Sequence, residues 1–168
     1  MKILHSFLPL FIFSSLFLFG CNYDKDETES KLIASEKSLP ANFHEIAFER
    51  ETAPFFQYLV KKASSQSAFE ETWSLFEFTS RLPKVNLNEK EVLFIGVQES
   101  GSCPYEVQSS DISADKKTLT VRLSEPKGAC TDDATPRTFV FELDKAGSQE
   151  VDNVVIVQSG VETSLPLE

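Results

Sequence analysis

Histidine and glycine are scarce in this chain. There are two histidines, His5 and His44, and six glycines in 168 residues. A nucleophile–base system needs a base beside its nucleophile, usually histidine. A zinc site needs three or four His, Cys or carboxylate ligands. His5 lies in the apolar opening of the chain, so His44 alone is left for either role. No Gly-x-Ser-x-Gly occurs, which removes the usual serine-hydrolase elbow. Phosphate-cradling glycine loops are missing, as are Cys-x-x-Cys and the calcium-loop spacing of an EF-hand. Asp132-Asp133 therefore reads as a turn. There is no internal repeat. Paired carboxylates are too common in so acidic a chain to mark a glycosidase.

What the chain does have is an address. Met1-Lys2 is followed by an apolar run from Ile3 to Gly20, ending Leu18-Phe19-Gly20-Cys21. Export signals place a small residue just before the cut. A cysteine directly after it, with Leu18 three residues before, resembles the lipobox of bacterial lipoproteins. The resemblance implies a signal peptide over residues 1–20 and lipidation of Cys21, palmitate included. The protein would be anchored on the extracytoplasmic face of the cell membrane. The run is long enough to span a bilayer. However, Pro9 interrupts it, and acidic residues follow where a retained helix would carry a basic cluster. Asn22 is not the aspartate that retains lipoproteins at an inner membrane, so a two-membrane envelope would place it in the outer one.

Without Lys2 the mature chain carries 15 basic against 26 acidic residues, or −11. Phosphate backbones and anionic headgroups repel such a surface. Nucleic acid is excluded as a partner, and the folded part is expected to stand off its membrane. Residues 21–41 are polar and charged, and are expected to be a flexible acidic tether. Residues 42–168 form one domain.

Within it, His44–Glu51 alternates polar and apolar, as a half-buried strand does, and Phe55–Lys61 favours a second. Ser67 and Glu70 make a capping box. Phe69, Trp73 and Phe76 then fall on one face of a helix running to about Ser80, before Pro83. Val92–Val97 is continuously apolar, suited to a buried central strand. Strands follow at Tyr105–Ile112, Thr118–Leu123, Thr138–Leu143 and Val151–Val157, with 113–117 a hairpin loop. The expected fold class is α+β, mainly β: a twisted antiparallel sheet with one packed amphipathic helix.

Cys103 and Cys130 remain after Cys21, and two cysteines in an exported domain most often pair. A hairpin turning at 113–117 makes paired residue numbers add to 230 or 231. Cys103 is then opposite residue 127 or 128, and a small fold-back brings Cys130 within bridging range. The bridge closes about 27 residues, for roughly 3–4 kcal/mol in the chain-entropy model.

The order of features from Ser67 to Lys145 resembles the C-terminal domain of the PrcB-type protease-complex subunit. An aromatic-striped helix around Phe69–Trp73 is followed by Pro83–Leu87, the apolar strand, a turn at Glu99–Ser102, and then two strands around a hairpin. Ser102-Cys103-Pro104 and Cys130-Thr131-Asp132-Asp133-Ala134-Thr135-Pro136-Arg137 are similar to segments of uncharacterised exported lipoproteins. The PrcB-type turn is Thr-Gly-Gly-Tyr; here it is Gly101-Ser102-Cys103-Pro104-Tyr105. The resemblance implies a non-catalytic binding or accessory module, with an exported protease among its partners, and supplies no catalytic residue or cofactor. Tyr105, Asp133 and Arg137 are the expected rim of a partner site, with an Asp133–Arg137 ion pair bracing the loop. Two other readings compete. One is an extracytoplasmic hydrolase using Ser100, Ser102 or His44. The other is a carrier of a cation or small ligand, suggested only by the acidity.

Overall fold

The computed structural model describes residues 30–124 and 127–167. The signal segment 1–20, Cys21 and residues 22–29 of the expected tether lie outside them. The order is β1 (Ser30–Glu36), α1 (Phe43–Ile46), β2 (Phe48–Glu49), β3 (Gln57–Ala63), α2 (Gln66–Leu75), β4 (Lys90–Glu99), β5 (Val107–Ile112), β6 (Thr118–Leu123), β7 (Thr135–Asp144), α3 (Lys145–Ser148), β8 (Asn153–Gln158) and β9 (Val161–Pro166). The mainly-β, α+β class with a packed helix and a Cys103–Cys130 disulfide is what the structure shows. It has two sheets rather than one: β1-β7-β4-β3-β2 and β5-β6-β8-β9. All pairings are antiparallel except β6 with β8, because the chain leaves for β7 in the other sheet before returning.

The apolar run of β4 is explained by its central place. A strand covered on both faces has no polar side. Leu93, Ile95 and Val97 face the second sheet, where they meet Val121, Leu119, Ile156 and Leu165. Val92 and Phe94 face the opposite way, against Phe43, Phe69, Trp73 and Phe76. The result is three layers: helices, the five-stranded sheet and the four-stranded sheet. Each such side chain, fully buried, contributes about 1.5–3 kcal/mol. Phe76 stacks on Phe94 with ring centroids 5.3 Å apart, and Trp73 on Phe78 at 4.0 Å. Gly96 shares this face, where a Cβ would come within 2.6 Å of Leu39 Cδ2.

The aromatic stripe is buried as expected, with different helix ends. Ser65, not Ser67, is the N-cap, its Oγ accepting from the Ala68 N–H at 3.3 Å. The helix stops at Leu75, five residues short of Ser80, since Glu77 takes a left-handed φ of 56°. His44–Glu51 is not one strand. Phe43 N–H donates to Pro40 O, and Glu45 and Ile46 N–H to Asn42 O, which fixes a short helical turn before β2. The hairpin register adds to 231 from Ser109↔Arg122 to Ile112↔Leu119, and a bulge shifts it to 230 at Val107↔Leu123.

The expected tether is corrected at its C-terminal part. Ser30–Glu36 is an edge strand on β7, in register from Ser30↔Leu143 to Glu36↔Thr138. Charged residues and a bulge, here between Leu32 and Ala34, are usual in edge strands, and Ser30, Lys31, Ser35 and Glu36 gave this one the composition of a linker.

Candidate functional site

One end of the sandwich gathers the residues singled out from sequence. It lies where β4 leaves the sheet and β7 enters it. Glu99, on β4, is 3% exposed. Its carboxylate is held by Arg137, which donates from Nε at 2.9 Å and Nη2 at 2.7 Å to Oε1. The Tyr105 N–H donates to Oε2 at 2.8 Å. Val97↔Arg137 and Glu99↔Thr135 are register pairs, so Glu99 and Arg137 are diagonal neighbours on one face. Arg137 Nη1 also reaches Ser35 Oγ on β1 at 3.4 Å.

Beyond Glu99 the chain turns back, with Ser100 bridging to Cys103. Cys103 is bonded to Cys130, their Cα atoms 5.6 Å apart. Residues 127–134 are all exposed, so this bridge braces a surface segment. Hydroxyls complete the brace. Ser100 Oγ lies 3.0 Å from Thr131 Oγ1 and 3.2 Å from Ser102 Oγ. The Thr131 N–H donates to Ser102 Oγ at 2.9 Å. Asp133 accepts from the Thr131 hydroxyl, from the Gly101 N–H at 3.0 Å and from Thr135 Oγ1 at 3.2 Å. Those donors hold its carboxyl below the ordinary aspartate range, the Thr131 hydroxyl first. A Cβ at position 101 would sit 2.5 Å from Asp133 Oδ2 and would push that carboxylate aside.

The expected Asp133–Arg137 pair does not form. Arg137 faces Glu99 inside the strand register, while Asp133 lies before β7 begins and is held by Gly101, Thr131 and Thr135. Tyr105 is half-buried, its hydroxyl 3.1 Å from Ser159 Oγ in the β8–β9 turn, so it ties the braced end to the second sheet. Nor does the structure bring the serines to the histidine. His44 Nδ1 is 2.7 Å from Gln57 Oε1, whereas Ser100 and Ser102 bond to each other and to Thr131. Among the described residues no three His, Cys, Asp or Glu side chains are placed to hold a metal ion.

An open groove of about 400 Å³ adjoins this end on the helix-bearing face. Glu36, Lys37, Pro40, His44 and Glu77 line it, and Ala134 and Pro136 connect it to the braced segment. Glu36 is anchored there by four donors: Thr79 N–H at 2.9 Å, Thr79 Oγ1 at 2.6 Å, Ser80 N–H at 3.3 Å and Ser80 Oγ at 2.7 Å. They pull its carboxyl from 4.5 down to about 2, the Thr79 hydroxyl first. Sequence reasoning missed Glu36 because it stood in the expected tether, and Glu77 because it lay inside the helix expected to run to about Ser80. No family profile, curated protein or solved structure matches the chain.

Proposed function

We propose that the chain is an exported lipoprotein, lipidated at Cys21, whose folded part serves as a non-catalytic accessory module for another exported protein. An exported protease is the partner class that the PrcB-type resemblance implies. The observation that carries the reading is the solvent-exposed segment 127–134, fixed by a disulfide and by the Asp133, Thr131 and Ser102 hydrogen bonds rather than by core packing. A surface ordered before contact loses little side-chain and loop entropy on binding. The groove beside it widens the same surface.

Arg137 is not part of that surface in this reading. It holds the end of the sheet together, and Tyr105 joins the two sheets. Thr131, Asp132 and the groove-lining residues remain as contact groups.

A pull-down with oxidised residues 22–168, run beside a Cys103→Ser, Cys130→Ser double mutant, tests this. A near-stoichiometric exported partner held by the oxidised form and lost from the mutant is the expected result. Capture of no partner under gentle crosslinking would sink the accessory role.

A further inference from the structure

The strand register fixes which end of the molecule the N-terminal segment enters. Ser30 pairs with Leu143, and Leu143 pairs with Glu91. Ser30, Leu143 and Glu91 therefore form one row across the five-stranded sheet. The braced segment is at the other end, beyond the Glu99↔Thr135 pair and the Ser100↔Cys103 bridge. Eight residue steps along β4 separate the two rows, which is roughly 26 Å at about 3.3 Å per residue.

Nine Cα–Cα steps connect Cys21 to Ser30, and no conformation of them spans more than about 32 Å. That exceeds the distance between the two ends of the sheet by only about 6 Å. For the domain to stand inverted, with the braced loop on the bilayer and Ser30 uppermost, these nine steps would have to run nearly taut alongside it. A mature charge of −11 adds repulsion from anionic headgroups within a Debye length.

We infer that segment 127–134 and its Asp133–Gly101 clasp are the membrane-distal tip of the anchored protein, so its partner is a water-exposed face of an exported protein met above the bilayer, not a lipid surface or a membrane-embedded segment. The inference rests on lipidation of Cys21. It assigns α3 and the 113–117 hairpin to the membrane-proximal end: Lys116 Nζ donates to Ala146 O there, and Asp144 of the Ser30 end leads directly into α3.

The test uses the full chain, processed in a bacterial host, purified and reconstituted in phosphatidylethanolamine–phosphatidylglycerol vesicles that contain an acceptor-labelled lipid. A clickable residue replaces exposed Ala129 in one protein and exposed Ala146 in another, and each carries the same donor dye. Energy transfer to the bilayer should be lower from position 129, by roughly half or more for an offset of about 26 Å. Inserting about twenty Gly/Ser residues after Glu29 should abolish the difference by freeing the domain to turn over. Equal or greater transfer from position 129 in the native-length chain overturns the inference. Flotation is read separately. If the processed chain does not float with vesicles, or if its N-terminal peptide carries no acyl mass on Cys21, the lipid-anchor reading itself has failed and the inference falls with it.

Discussion

Arg137 of β7 donates twice to one carboxylate oxygen of Glu99 on β4, at 2.7 and 2.9 Å, and Glu99 keeps no exposed side-chain surface. A charge so placed depends on its partner. Removing one member of a buried pair costs about 3–5 kcal/mol, because the other is left unpaired away from water. Arg137→Ala should lower unfolding stability by that amount in chemical denaturation. Glu99→Leu with Arg137→Met should recover most of the loss. A cost under about 1 kcal/mol for Arg137→Ala would mean that the pair behaves as a surface one.

Glu36 gives a pH dependence. Its carboxyl falls from 4.5 to about 2 on folding, through the Thr79 and Ser80 donors. A depressed acid stabilises the fold above its unfolded value and loses that contribution as pH drops through the folded one. The hold of β1 on the loop after α2 should therefore weaken between about 4.5 and 2. Carboxyl carbon shifts should place the Glu36 midpoint near 2, and β1 amides should exchange faster across that window. In Glu36→Gln this pH dependence should be gone. A midpoint near 4.5 would rule the clasp out.

Gly96 is fixed by the close approach of Leu39, at 2.6 Å from an added Cβ. Gly96→Ala should cost about 1–3 kcal/mol by overpacking. Leu39→Ala should relieve part of that strain, giving a favourable coupling of roughly 1 kcal/mol in a double-mutant cycle. Additive effects would show that Leu39 already yields.

The Cys103–Cys130 bridge closes a separation of 27 residues. Its loss in the Cys103→Ser, Cys130→Ser double mutant should lower stability by roughly 3–4 kcal/mol. The Gly101 and Thr131 amides should lose exchange protection while Leu93 and Ile95 keep theirs. Equal loss of protection in β4 would mean that the bridge supports the whole sandwich and not the tip alone.

Much of the fold could be read without coordinates. The unbroken apolar run of β4 identified a strand covered on both faces. The Phe69–Trp73–Phe76 spacing marked the packed helix, and the hairpin register gave the disulfide partner within two or three residues. These succeed because the governing interactions are local or periodic. The first strand was not legible, since an edge strand has one neighbour and needs few apolar side chains. Nor was the α1 turn, which depends on Pro40 and Asn42 carbonyls rather than on any repeat. The partners of Arg137 and Asp133 were misjudged for the same kind of reason. They are four residues apart in sequence, yet one belongs to a strand register and the other to a loop beyond it.

The class of fold, the central strand, the helix face and the cysteine pair follow from the order of residues alone, because hydrophobic periodicity and turn chemistry act over a few residues. That there are two sheets, that Ser30–Glu36 completes one of them, and that Glu99 rather than Asp133 holds Arg137 emerges only in the assembled fold. Those outcomes depend on which strands meet and in what register, and hydrogen-bonded pairing between distant segments leaves little trace in the sequence of either one.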